Sequence, residues 1–122
     1  MSQTKRQIYI YDTTLRDGCQ GEDVNFSIED KLRIAEKLDE LGMHFIEGGW
    51  PSANPKDERF FKELIARGLK NSKLVAFGST CKKNLTPGKD PQVAKLARLD
   101  VEYVAVVGKS WLLHIKDVLH TS

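Results

Sequence analysis

The stretch Ile8-Tyr9-Ile10-Tyr11-Asp12-Thr13-Thr14-Leu15-Arg16-Asp17-Gly18-Cys19-Gln20 sets a short apolar segment directly before nine residues rich in polar groups. Those nine carry two carboxylates, a guanidinium, two hydroxyls and an amide. The apolar Ile8–Tyr11 reads as a β-strand. The density of polar groups at its end marks a site loop, because a core excludes polar groups that lack partners. Gly18 and Gly21 allow the backbone to turn sharply there.

Working outward, helix-like and strand-like segments alternate. Ser27, with Asp30 three residues on, reads as a capping box opening a helix. Ile28, Leu32, Ala35, Leu38 and Leu41 then share one helical face, with Glu29, Lys31, Arg33, Glu36, Lys37 and Glu40 on the opposite side. Gly42 stands where a left-handed residue ends a helix. Met43–Ile46 is a second strand running into Glu47-Gly48-Gly49-Trp50-Pro51. Asn54 and Pro55 open a second helix through Phe60, Phe61, Leu64 and Ile65, which Gly68 terminates. Leu74–Phe77 is a third strand, ending at Gly78-Ser79-Thr80, and Asp90-Pro91 opens a third helix through Val93, Leu96 and Ala97. Val101–Val107, apolar apart from Glu102, reads as a buried parallel strand. Ser110 reads as the cap of a fourth helix starting at Trp111, and Trp50 and Trp111 as packing residues.

Strand starts near residues 8, 43, 73 and 101 recur at the size of a βα unit, about 30 residues. The fold expected is therefore α/β with four βα units in a single domain, residues 1–122. An open doubly wound sheet shares this local pattern with half of a (β/α)8 barrel. A closed barrel takes about 250 residues, so 122 residues cannot complete one.

Composition narrows the function. Charged residues are 30% and hydrophobic ones 40%, the balance of a globular chain. The 19 basic and 17 acidic residues are well mixed, which argues against a nucleic-acid partner. No run approaches the roughly 18 apolar residues of a membrane span. The charged start Met1–Arg6 has no apolar segment behind it and does not read as a signal peptide. Cys19 and Cys81 lack metal-ligand spacing, and a reduced cytoplasmic setting follows.

Polar residues gather at each strand end: Asp12 to Gln20, then Glu47, then Ser79 and Thr80, then Lys109 and Ser110. In a barrel these ends form one face, where catalysis takes place. Arg16 offers a permanently charged planar fork of donors. Asp17 offers the oxygen that a hard divalent cation accepts, although locally the two also read as a surface ion pair or a turn. Asp12, Thr13 and Thr14 are expected to order the loop. Glu47, on an exposed strand end with little side-chain cover, suits general acid/base or orienting work, or the capping of nearby N–H groups. Gln20 reads as a substrate-facing or a solvated amide. Lys109 and Ser110 read as a helix cap or an anion contact.

The run Asp12–Gln20 resembles the signature of the metal-dependent acyltransferases and lyases that build or cleave 2-oxo acid adducts of acyl-CoA. These are the isopropylmalate, homocitrate and citramalate synthases and hydroxymethylglutaryl-CoA lyase. Glu47-Gly-Gly-Trp-Pro-Ser-Ala-Asn-Pro-Lys-Asp57, Val75-Ala-Phe-Gly-Ser-Thr80 and Gly108-Lys-Ser-Trp111 resemble the citramalate synthase branch, so that the likeness runs from about Ile8 to the end. The resemblance implies the N-terminal half of a TIM barrel, cytoplasmic and homodimeric when complete. It implies a divalent metal ion (Mg, Mn or Zn) held by Asp17, with acetyl-CoA as co-substrate and a 2-oxo acid such as pyruvate as partner. It implies catalytic and substrate-binding work for Arg16, a catalytic Glu47, a substrate-side Gln20 and a spectator Cys19. The family's pair of metal-binding histidines has no counterpart: His44, His114 and His120 form no H-x-H and read as structural or exposed.

The expected whole is thus a condensing acyltransferase, of which this chain is a truncated and inactive piece. Asp117–Ser122 reads as stopping inside a helical pattern. The alternatives are a non-catalytic half-barrel that self-associates through its two open sheet edges, or an acyl-CoA lyase of the same superfamily.

Overall fold

A computed structural model describes residues 5–121. Met1 to Thr4, part of the segment weighed as a leader, and Ser122 lie outside the described residues. The elements are β1 Tyr11–Asp12, α1 Ile28–Leu41, β2 Phe45–Gly49, α2 Pro55–Arg67, β3 Lys73–Ser79, α3 Pro91–Ala97, β4 Tyr103–Val107 and α4 Leu112–Asp117. Short 3-10 turns at Gly18–Gln20 and Pro87–Lys89 sit in the loops after β1 and β3. All four strands are parallel and lie in the order β1-β2-β3-β4. A doubly wound sheet reverses its order at a switch point. This sheet advances one way, as a barrel wall does, and the arrangement is half-barrel-like.

The start signals in the sequence act as expected. Ser27 and Asp30 form a reciprocal capping box, Asn54 accepts from the Lys56 N–H, and Asp90 accepts from the Gln92 and Val93 N–H groups. One sheet face and the helices enclose the core of Leu15, Leu32, Ala35, Ile46, Phe60, Phe61, Leu64, Ala76 and Leu96. Alternation along the strands turns Phe45, Glu47, Val75 and Phe77 to the opposite face. There Phe45 contacts Tyr9, Tyr11 and Tyr103.

Several expectations are corrected. The first ladder begins at Tyr11, not Ile8, because the N–H groups of His44 and Phe45 both bond the Ile10 carbonyl and the Ile10 N–H bonds the His44 imidazole instead of a strand. Lys31, placed on the polar side, is 2% exposed and pairs with Asp57 at 2.5 Å. Leu41, placed on the apolar face, is 72% exposed at the last position of α1, beyond the edge of the sheet contact. β4 is apolar but largely exposed on both faces, because it is the last strand of this sheet and α4 does not cover it. Ser110 does not cap α4: Trp111 takes the cap position without a side-chain bond, is 60% exposed, and meets the His114 ring edge to face. α4 ends at Asp117, inside the chain, rather than running on to Ser122.

Two carboxylates that the sequence pattern did not single out fix the loops. Asp39, near the end of α1, accepts the backbone N–H groups of Lys70, Asn71 and Ser72 at 2.7–2.8 Å and so ties the α2–β3 loop to α1. Burial pushes its carboxyl up, but these donors together outweigh that and hold it below the ordinary range. Asp57, in the first turn of α2, accepts from Lys31 Nζ and from the Trp50 N–H. The β2–β3 register shifts between Glu47 and Gly49, so Gly48 is an extra residue in a bulge. A Cβ at Gly48 would stand 2.8 Å from the Phe60 ring. One at Gly49, where φ is +147°, would collide with the Asp57 carboxylate.

Two outcomes are expected. Asp39→Ala strands buried N–H groups and should cost about 3 kcal/mol in urea unfolding. Because the folded carboxyl is depressed, its contribution is fully present above the unfolded value of about 3.9 and fades as pH falls through the lower folded value. Stability of the variant should therefore fall less steeply than wild type below about pH 4; equal acid slopes would refute this role. Gly49→Ala should cost about 2 kcal/mol or more by displacing Asp57. An unchanged thermal midpoint would show that the bulge does not need glycine.

Candidate functional site

Arg16 is the centre of the polar cluster. The Asp12–Gln20 segment leaves β1 in a tight turn: Asp12 accepts the Thr14 N–H and hydroxyl at 3.0 Å, and the Thr13 carbonyl accepts the N–H groups of Arg16 and Gly18. Asp12, Thr13 and Thr14 thus order the loop, as the sequence indicated. Leu15, fully buried in the core, anchors the segment from below. With Leu15 pinned, the neighbouring Arg16 side chain passes over the sheet ends.

The guanidinium is held from three directions. Nε donates to Glu47 at 2.5 Å, Nη1 donates to Asp17 at 3.0 Å and Gln20 at 3.4 Å, and the Phe77 ring lies 4.1 Å below its carbon. An arginine over an aromatic face gains electrostatic attraction, more so where water is scarce. No hydrogen bond among the described residues engages Nη2. The structure therefore brings together Arg16, Asp17, Gln20 and Glu47 and leaves one edge of the arginine fork open.

Glu47 differs from its expected setting. It lies inside β2 rather than past its end, and it is 3% exposed. Among the described residues it caps no backbone N–H: one oxygen accepts from Arg16 and the other from the Tyr11 hydroxyl. Burial first, then the Glu47 carboxylate, hold the Tyr11 phenol well above its ordinary range, so it remains a donor. Both oxygens are engaged within the protein, and the group that Glu47 orients is Arg16.

Asp17 is bonded through one oxygen, and its side chain is 65% exposed. Among the described residues no group of three or more His, Cys, Asp or Glu could hold a metal ion. The described residues thus form no metal site by themselves, and Asp17 keeps one carboxylate oxygen without a hydrogen-bond partner among them. Gln20 serves as an acceptor for Arg16 and lines, with Arg16, Cys19, Lys31, Lys56 and Asp57, a cavity of about 200 Å³. Cys19 and Cys81 are free thiols, and burial pushes the Cys19 thiol up, away from the reactive thiolate.

The remaining strand-end residues stay apart from Arg16. Ser79 closes β3, the Thr80 N–H bonds the Val107 carbonyl, and Lys109 and Ser110 are exposed. His44 accepts the Ile10 N–H, and His114 meets the Trp111 ring edge to face. Sequence reasoning missed Tyr11 and Phe77. The usable signal was alternation, which turns Phe77 to the same side as Val75 and Ser79 and puts Phe45, the register partner of Tyr11, on the same side as Glu47.

The family model described as HMGL-like matches residues 7–120. The (R)-citramalate synthase of Aquifex aeolicus is 56% identical over 116 residues, which are 95% of this chain and 22% of that relative. The (R)-citramalate synthase of Synechocystis is 44% identical over 122 residues, 100% of this chain and 22% of the relative. The homocitrate synthase AksA of Methanocaldococcus jannaschii is 38% identical over 111 residues, 91% of this chain and 25% of the relative. The chain thus spans a quarter or less of the length of these curated relatives. With the match running from ahead of β1 to beyond α4, and with the sequential parallel half-barrel on which Arg16 is mounted, the chain belongs to the HMGL-like family.

Proposed function

We propose that these residues serve a cytoplasmic condensation of acetyl-CoA with a 2-oxo acid, pyruvate giving (R)-citramalate, as part of a longer catalytic unit. The observation that carries this reading is the Arg16 guanidinium, fixed by Glu47 and Phe77, with Nη2 unpaired among the described residues. A planar donor edge of this kind suits the oxygens of a 2-oxo acid. The names and identities of the relatives support the reaction class and the choice of pyruvate.

In the reaction a base takes a methyl proton of acetyl-CoA, and the resulting carbanion attacks the ketone carbon of pyruvate. The ketone oxygen gathers negative charge and is then protonated, and water cleaves the thioester to release CoA. Arg16 binds the 2-oxo acid and stabilises that growing charge from a fixed position, without reorganising as the reaction proceeds. Glu47 orients Arg16. Gln20 holds Nη1 from the other side, within reach of the ligand. Asp17 supplies one hard-oxygen ligand to a divalent ion whose other ligands lie outside these residues. Such an ion, when bound, polarises the ketone as a Lewis acid.

In the full-length protein, Arg16→Ala should lower pyruvate-dependent CoA release by about 10²–10³-fold. Retention of activity within about threefold would sink the assignment. The 122-residue chain should show no pyruvate-dependent CoA release and should bind Mn²⁺ or Zn²⁺ only weakly, since it supplies one ligand. Turnover by this chain, at a rate like that of a whole synthase, would overturn the requirement for further residues.

A further inference from the structure

Arginine and carboxylate side chains pair best as a two-point fork, with two parallel N–H···O bonds. On the side of the guanidinium that faces Glu47, the fork would use Nε and Nη2. The observed pair uses Nε only: Glu47 Oε1 accepts from it, and Oε2 is taken by the Tyr11 hydroxyl. Tyr11, not Arg16, is the donor at the oxygen that would complete the fork, and Nη2 has no partner among the described residues. Glu47 is 3% exposed, so solvent does not compete freely for that oxygen. A buried carboxylate oxygen without a donor is costly, and without the hydroxyl the donor that the two-point fork offers it is Nη2.

We propose that Tyr11 is a positioning residue that keeps the ligand edge of Arg16 open by occupying the second oxygen of Glu47. The assignment rests on the reading of Arg16 as the 2-oxo acid binder. Tyr11 touches no substrate; it acts through Glu47. Its ring is fixed against Phe45 and its phenol remains protonated, so the hydroxyl is a dependable donor.

The test is Tyr11→Phe in the full-length protein, which keeps the ring and its packing. The crystal structure of the variant should show Glu47 bonded to both Nε and Nη2 of Arg16. KM for pyruvate should rise about tenfold, with kcat and KM for acetyl-CoA changed by less than about threefold. A merely structural role would shift the melting temperature and would not produce this split. In an Arg16→Lys background no fork can form, so adding Tyr11→Phe should cost less than about twofold.

A water standing in for the hydroxyl with Nη2 still unpaired would overturn the proposal. So would an unchanged KM for pyruvate, or full additivity with Arg16→Lys. If the wild-type protein condenses no 2-oxo acid, the functional reading falls separately. The crystal structure of the variant then decides the role of Tyr11: a fork upholds it, and an unpaired Nη2 ends it.

Discussion

One carboxylate, Asp57, sets the geometry on which the site depends. It belongs to the first turn of α2, pairs with the buried ammonium of Lys31 from α1, and accepts the Trp50 N–H just past β2. Two helices and a strand end therefore meet at one charge. A buried pair contributes little net stability over apolar packing, but removing one partner costs about 3–5 kcal/mol because the other charge is left without compensation. The pair acts as a locator. α2 lies so close to the strand that a Cβ at position 48 would meet the Phe60 ring and one at position 49 the Asp57 carboxylate, and β2 bulges there, immediately after Glu47.

From that point the electrostatics of the site follow. Glu47 is a buried negative charge and needs donors; Arg16 and Tyr11 supply them. Arg16 in turn lies over Phe77, a contribution of β3, so β2 and β3 each hold part of one guanidinium and β1 supports it through Tyr11 and Glu47. The sequential order of the strands makes this possible, since it sets the ends of β1, β2 and β3 side by side. A scaffold of packed strands holds a side chain more firmly than a free loop does.

Much of this was legible in the sequence. The four βα units, the caps at Ser27, Asn54 and Asp90, and the gathering of Arg16, Asp17, Gln20 and Glu47 were all readable from periodicity, capping chemistry and strand-end position. The misreadings share a cause: periodicity assigns a face to a residue but does not say what stands opposite it. Lys31 looked solvent-facing because lysine is rarely buried, and its partner Asp57 lies 26 residues on. Leu41 looked core-facing because the pattern continued, although the sheet did not reach it. β4 carries the composition of an interior strand, but burial depends on neighbours, and this sheet sets nothing against its far edge. Tyr11 was passed over because alternation brings it near Glu47 only once the β1–β2 register, with Tyr11 opposite Phe45, is known.

The one-way order of the strands bears also on how the chain is made. Each strand pairs with the next in sequence, and the side-chain bonds that join neighbouring units span about thirty residues: Lys31 to Asp57, Asp39 to Ser72, Lys73 to Glu102. No pairing reaches across the described chain from first strand to last. Every unit therefore finds its docking surface already synthesised when it emerges from the ribosome, and contacts of modest sequence separation form with low loop-closure cost. Such a wall can grow vectorially, one βα unit upon the last, with the Arg16 cradle complete as soon as β3 is in place.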